Sequence, residues 1–154
     1  MTQLKPDSSF ESINVGDEIP SFEIGETQAT MDQPATNSRV PKADDAEPRK
    51  NIHNDADFAK SGLFGTTANA GVMTMAYVTQ MLEQVFPTKS FYNGGRLTYK
   101  GINPFRDGDV VEFTGVVTGK RTESGKNFVD MEIKGIDKTG RLVGVAEASL
   151  VPAN

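Results

Sequence analysis

The sequence predicts an α+β domain: one long buried helix wrapped by an antiparallel sheet. Residues 71–86, GVMTMAYVTQMLEQVF, are the most apolar stretch of the chain, apolar nearly all round, which is the pattern of a helix inside a protein. From about residue 91 the period becomes two. RLTYKGI, DVVEFTGVVTGKR, NFVDMEIKGIDK and RLVGVAEASLV are rich in Val, Ile, Phe and Thr and read as strands. Between them NPFRDGD, TESGK and KTGR carry the Gly, Asp and Pro of turns.

Each element follows in chain order. Residues 1–26 are mixed, with one strand-like run, IPSFEIGE. Residues 27–50 have few apolar residues and three prolines and read as a long irregular segment. A short helix is expected over 54–62, capped by Asn54 or Asp55, with Asp57 at the positive end of its dipole and Gly62 ending it. The turn FGTTANAG leads into the long helix, in which Val72, Met75, Ala76, Thr79, Leu82 and Phe86 keep helical spacing until Pro87. In NFVDMEIK, Val129, Met131 and Ile133 alternate with Asp130, Glu132 and Lys134, so one sheet face is wet and the other packs on the helix.

At 154 residues the chain is expected to be a single domain over 1–154 with a core of its own. It has no cysteine, which excludes disulfides, thiolate metal sites and thiol nucleophiles and fits a reducing compartment. A net charge of −5 without a basic block disfavours nucleic acid. No stretch reads as a membrane span or signal-peptide core, so a cytoplasmic protein is expected. One histidine and scattered acids make no metal set, and no G-x-G-x-x-G follows a strand. No metal or cofactor is expected.

The lone histidine, His53 in NIHNDADFAK, is the candidate for chemistry, against the alternative of a polar loop entering a helix. Histidine suits proton transfer because its ordinary pKa of about 6.5 lies near neutrality. Gly71 is either a close-packing residue or the open start of a buried helix, where an unpaired N–H meets a positive dipole end. Asp55 reads as a cap or as an acid. Thr79 reads as a hydroxyl bonded to its own helix or as a site residue. The methionines read as core filling or as an acyl channel.

Together, Ile52-His53-Asn54-Asp55, the following Phe58-Ala59, the glycine-led helix and NPFRDGD between two strands resemble the MaoC-like hydratases, which include the (R)-specific enoyl-CoA hydratases of the hot-dog superfamily. The resemblance covers roughly residues 45–150 and is strongest over 51–115. Gly71 follows His53 at the family spacing. Two positions depart: Pro48 stands where the family has its catalytic aspartate, and Ala70 where a histidine precedes the helix glycine.

What this resemblance implies is a hot-dog fold acting on an acyl-CoA or acyl-carrier thioester. His53 would transfer protons, with Glu47 as the first candidate for the missing carboxylate, ahead of Asp44 and Asp45, and with Asp55 beside it. Gly71 would hold the thioester oxygen through its N–H, flanked by Asn69 and Ala70. Thr79 matches the helix hydroxyl that steadies the carboxylate. A homodimer or dimer of dimers is implied, or a hetero-oligomer with a related hot-dog subunit. Three functions compete: a hydratase or dehydratase, a non-catalytic acyl-binding subunit of a heteromeric hydratase, and a thioesterase. The last is disfavoured because Thr74, Met75 and Ala76 offer no carboxylate near the helix start.

Overall fold

The computed structural model describes residues 1–32 and 50–153; among them, five antiparallel strands and one long helix organise the fold. The strands are β1 (Glu18–Gly25), β2 (Arg96–Gly101), β3 (Val110–Glu123), β4 (Lys126–Asp137) and β5 (Leu142–Leu150), in sheet order β1-β3-β4-β5-β2. The helices are α1 (Gln28–Met31), α2 (Ala56–Lys60), α3 (Gly71–Glu83) and α4 (Lys89–Tyr92).

The sheet is where its sequence period places it. Val129, Met131 and Ile133 are buried while Glu132 and Lys134 are exposed. The β3–β4 hairpin closes through Ser124 and Gly125, both at positive φ, the conformation a two-residue turn needs to match strand twist. In β1 the register shifts between Ile19 and Phe22. Pro20 lies in that interval and lacks an N–H for the ladder, a defect tolerated on an edge strand.

The core lies between the sheet and α3. Val78, Met81 and Leu82 are completely buried, each contributing about 1.5–3 kcal/mol over an exposed position. They meet Phe113, Val117, Met131, Val143 and Leu150 from the strands, in one cluster with Ile13 of the N-terminal segment.

Three expectations need correction. The long helix is not buried all round: Val72 is 62% and Met75 36% exposed. A single sheet covers one side of a helix only, so among the described residues nothing covers the opposite apolar stripe. The segment 27–50 is not irregular at its start, because Thr27 caps α1 with a capping box completed by Thr30. Finally, α3 stops at Glu83, and the chain tightens over 84–86 before Pro87 is reached.

Candidate active site

His53 sits in a turn made by its neighbours. The Asn51 carboxamide accepts the His53 N–H at 2.7 Å, an Asx-turn that holds the backbone ahead of α2. Asp55 then caps that helix, accepting the Phe58 N–H at 2.7 Å. From α1, the Gln28 amide donates to the His53 carbonyl at 2.8 Å, fixing the loop from a second direction. The imidazole Nδ1 lies 2.7 Å from the Ala68 carbonyl oxygen. A carbonyl only accepts, so Nδ1 carries the hydrogen and the neutral ring keeps its lone pair on Nε2.

The segment that holds the ring also opens α3. Ala68 N–H donates to Ile52 at 3.2 Å and Asn69 N–H to Phe105 at 2.8 Å, stitching three loops together. Ala70 is the N-cap and supplies no side-chain bond. The first amides of the helix, beginning at Gly71, therefore lack the usual side-chain acceptor at a positive dipole end. A Cβ built on Gly71 would meet nothing within 4 Å, so the Cα at the helix start is open.

His53, Asn69, Gly71, Thr74 and Tyr99 line a cavity of about 300 Å³, at the small end of ligand-site volumes. Ile52, Phe64, Ile102, Pro104 and Phe105 supply its apolar wall. Burial pushes the Tyr99 phenol up, with the Thr74 hydroxyl acting the other way. The loop bearing Pro104 is clamped by Arg141, which donates to the Pro104 carbonyl and to Asp137 at 2.8 Å each and also pairs with Asp109.

Behind this wall lies a buried carboxylate. Glu26 is 1% exposed and accepts from Asn69 Nδ2 at 2.9 Å, from the Tyr77 hydroxyl at 3.1 Å and from the Thr30 hydroxyl. Burying a charge costs several kcal/mol, and three hydrogen bonds to a charged group at about 1.5–3 kcal/mol each are of the size needed to offset that. Burial, then the adjacent Glu26, push the Tyr77 phenol up to about 12, so Tyr77 remains a donor. The other end of the Asn69 amide, Oδ1, accepts from Thr74 at 3.0 Å.

Of the residues expected at the site, the structure brings His53, Asn69 and Gly71 to one cavity, with Ala70 at the helix cap. Asp55 instead faces the Phe58 amide and Lys50, which hold its carboxyl below the usual range, the amide first. The Thr79 hydroxyl donates to Met75 of its own helix at 3.1 Å, and the helix hydroxyl on the cavity wall is that of Thr74. Glu47, Asp44 and Asp45 lie outside the described residues. Sequence reasoning missed Glu26, Thr74 and Tyr99. Glu26 was findable, since it keeps the inward parity of Phe22 and Ile24. Among the described residues no cluster of His, Asp or Glu is placed to hold a metal, and no helix is long and apolar enough to cross a membrane.

Residues 48–138 match the family model described as MaoC like domain. Among solved structures, the R-hydratase PhaJ1 of Pseudomonas aeruginosa in its unliganded form is similar with a TM-score of 0.74 at 19% identity, covering 95% of this chain and 86% of that one. A MaoC-like dehydratase from Rhodospirillum rubrum gives 0.70 at 20% identity, covering 94% and 95%. The ChsH1–ChsH2 complex from Mycobacterium tuberculosis gives 0.68 at 16% identity, covering 90% and 98%. No curated protein sequence matches the chain. The structural likeness carries the hot-dog fold, and the family match runs over more than half the length: the chain belongs to the MaoC-like dehydratase family.

Proposed function

We propose that the chain is a hydratase or dehydratase of an acyl thioester, interconverting an enoyl thioester and its 3-hydroxyacyl counterpart. The observation that carries this reading is that His53 and Gly71, the first residue of α3, line one cavity. Nε2 takes a proton from water as the water oxygen bonds to C3. The electron pair moves to the thioester carbonyl, where the Gly71 N–H and the helix dipole stabilise the enolate oxygen. The imidazolium returns its proton to C2, so the net change is one water added and the ring is restored. A single base serving both steps delivers hydroxyl and hydrogen to the same face. Glu47 stays in this reading as the partner carboxylate, and Asp55 as a residue steadying the loop. Acyl-CoA and acyl-carrier thioesters are both candidates, in the cytoplasm, with no cofactor in the scheme.

The second reading is an acyl-binding subunit of a heteromeric hydratase. Pro48 at the aspartate position and the exposed Val72 and Met75 on α3 favour it, because a partner would supply the carboxylate and cover the stripe. Homodimer formation would cover the same stripe.

The test is the loss of enoyl absorbance on adding wild type or His53→Ala to crotonyl-CoA and to longer and branched enoyl-CoAs. Turnover by wild type, abolished in the variant, is the expected result. No turnover of any thioester, together with a co-purifying related subunit, would replace the first reading by the second. Glu47→Gln with undiminished turnover would remove that residue from the scheme.

A further inference from the structure

We propose that Glu26 is a positioning residue of this site: through the Asn69 carboxamide it fixes residues 68–70, and with them the carbonyl that orients His53 and the backbone entering α3. Its effect on turnover rests on the hydratase reading; its effect on the His53 ring does not.

The placement begins with the backbone. Just beyond β1, Glu26 N–H donates to Asp109 and its carbonyl accepts from Gly108, both at 2.9 Å, so its position is set by the loop leading into β3. Its side chain then reaches Asn69, 43 residues along the chain. A carboxylate only accepts, which dictates that the NH₂ end of the Asn69 amide faces it. The Oδ1 end is thereby turned to Thr74, which donates to it at 3.0 Å. A flipped amide would set oxygen against oxygen.

Asn69 is the link between this buried group and the cavity. It is 8% exposed and lines the wall. Its neighbour Ala68 supplies the acceptor for His53 Nδ1 at 2.7 Å, and Gly71 follows two residues later. Gln28, two residues after Glu26, holds the His53 carbonyl at 2.8 Å. The short segment 26–28 therefore grips the site at the histidine's own backbone and at the segment orienting its ring.

A residue serving stability alone has no need of this arrangement. Apolar side chains of similar volume fill a buried position at equal or lower cost than an ion. A buried charge whose bonded amide faces the cavity suits preorganisation, since it locks a site residue's orientation before any ligand arrives.

The experiment uses Glu26→Gln and Asn69→Ala. Glutamine has one acceptor oxygen where the carboxylate has two, so its NH₂ must face either Asn69 or the Thr30 hydroxyl, and the carboxylate's charge is removed in both cases. Asn69→Ala cuts the link while leaving Glu26 its Tyr77 and Thr30 partners. The chain has one histidine, so the long-range nitrogen–proton NMR spectrum of the imidazole reads the His53 tautomer without assignment. Wild type is expected as the Nδ1–H form, and both variants as tautomer mixtures. In turnover of enoyl-CoA, kcat is expected to fall about tenfold or more, with KM within about threefold.

An unchanged imidazole spectrum and unchanged kcat in folded variants, with only the melting temperature lowered, would overturn the proposal. Should Glu26→Gln not fold, Asn69→Ala decides by the same two readouts. If wild type turns over no thioester, the hydratase reading fails while the spectra still decide Glu26: mixed tautomers support it and unchanged spectra refute it.

Discussion

The imidazole Nδ1 of His53 donates to the carbonyl oxygen of Ala68 at 2.7 Å, across 15 residues of chain. The bond leaves the other ring nitrogen as the basic atom, and no hydrogen bond engages it among the described residues. Orienting a histidine is a task that carboxylates often perform; a backbone carbonyl does it here without adding a charge.

His53→Asn keeps a donor near Nδ1 and removes Nε2. Turnover is expected to fall about 10²–10⁴-fold, the usual worth of a positioned acid–base group. Melting temperature should stay near wild type. Parallel kinetics and thermal melts check both, and an active His53→Asn enzyme would exclude the ring from proton transfer.

Asp55→Asn and Asp55→Ala separate capping from chemistry. Asparagine is as good a cap as aspartate, so Asp55→Asn should retain stability and turnover, whereas Asp55→Ala should melt a few degrees lower. Because its carboxyl is held below the usual range, first by the Phe58 amide and then by Lys50, its contribution is complete above the ordinary carboxylate pKa of about 3.9. That contribution is lost as pH falls toward the lowered folded value. A large drop in kcat for Asp55→Asn would assign it a direct role in the reaction.

The two helix threonines should behave differently. Thr74→Val leaves the buried Asn69 Oδ1 without its donor, costing about 1–3 kcal/mol, and changes the cavity wall, so KM should rise. Thr79→Val removes only a bond to its own helix and should lie within about 0.5 kcal/mol of wild type. Denaturant unfolding and steady-state kinetics on both variants provide the comparison.

Arg141→Met should loosen the loop at Pro104 and cost about 2 kcal/mol at neutral pH, a buried-pair effect reduced by the partial exposure of Arg141. Burial pushes the Asp137 carboxyl up, but hydrogen bonds from Thr139 and Arg141 outweigh it and hold the group well below the usual range. Stability from this group is therefore present above pH of about 4 and lost below it. The variant's stability should fall less steeply than wild type's as pH is lowered through that window, as unfolding curves at several pH values will show.

Gly144→Ala tests the cavity from the sheet side. A Cβ there would collide with the Tyr99 hydroxyl and ring, so the ring must move. Overpacking of this kind costs about 1–3 kcal/mol, and displacement of Tyr99 should alter thioester KM. Unfolding and kinetics of the single variant are sufficient.

Strands and turns were legible because their signals are local. The alternation of Val129, Met131 and Ile133 with Glu132 and Lys134 states which face is buried before the sheet exists. The same holds for the Asp55 cap and the spacing of His53 and Gly71. The all-round burial expected of α3 failed because composition counts apolar residues without saying how many neighbours the fold supplies. Val72 and Met75 face the side where the described residues leave them exposed.

By itself the sequence determined the order of the strands, the helices α2 and α3, the histidine on its loop and the glycine at the helix start. Local backbone preference and side-chain period are enough for each of these. Only the tertiary structure decided that Glu26 meets Asn69, that Thr74 rather than Thr79 faces the cavity, and that Ala68 takes the His53 hydrogen. These are contacts between segments far apart in the chain. Their partners are chosen by how the sheet wraps the helix, which no local pattern encodes.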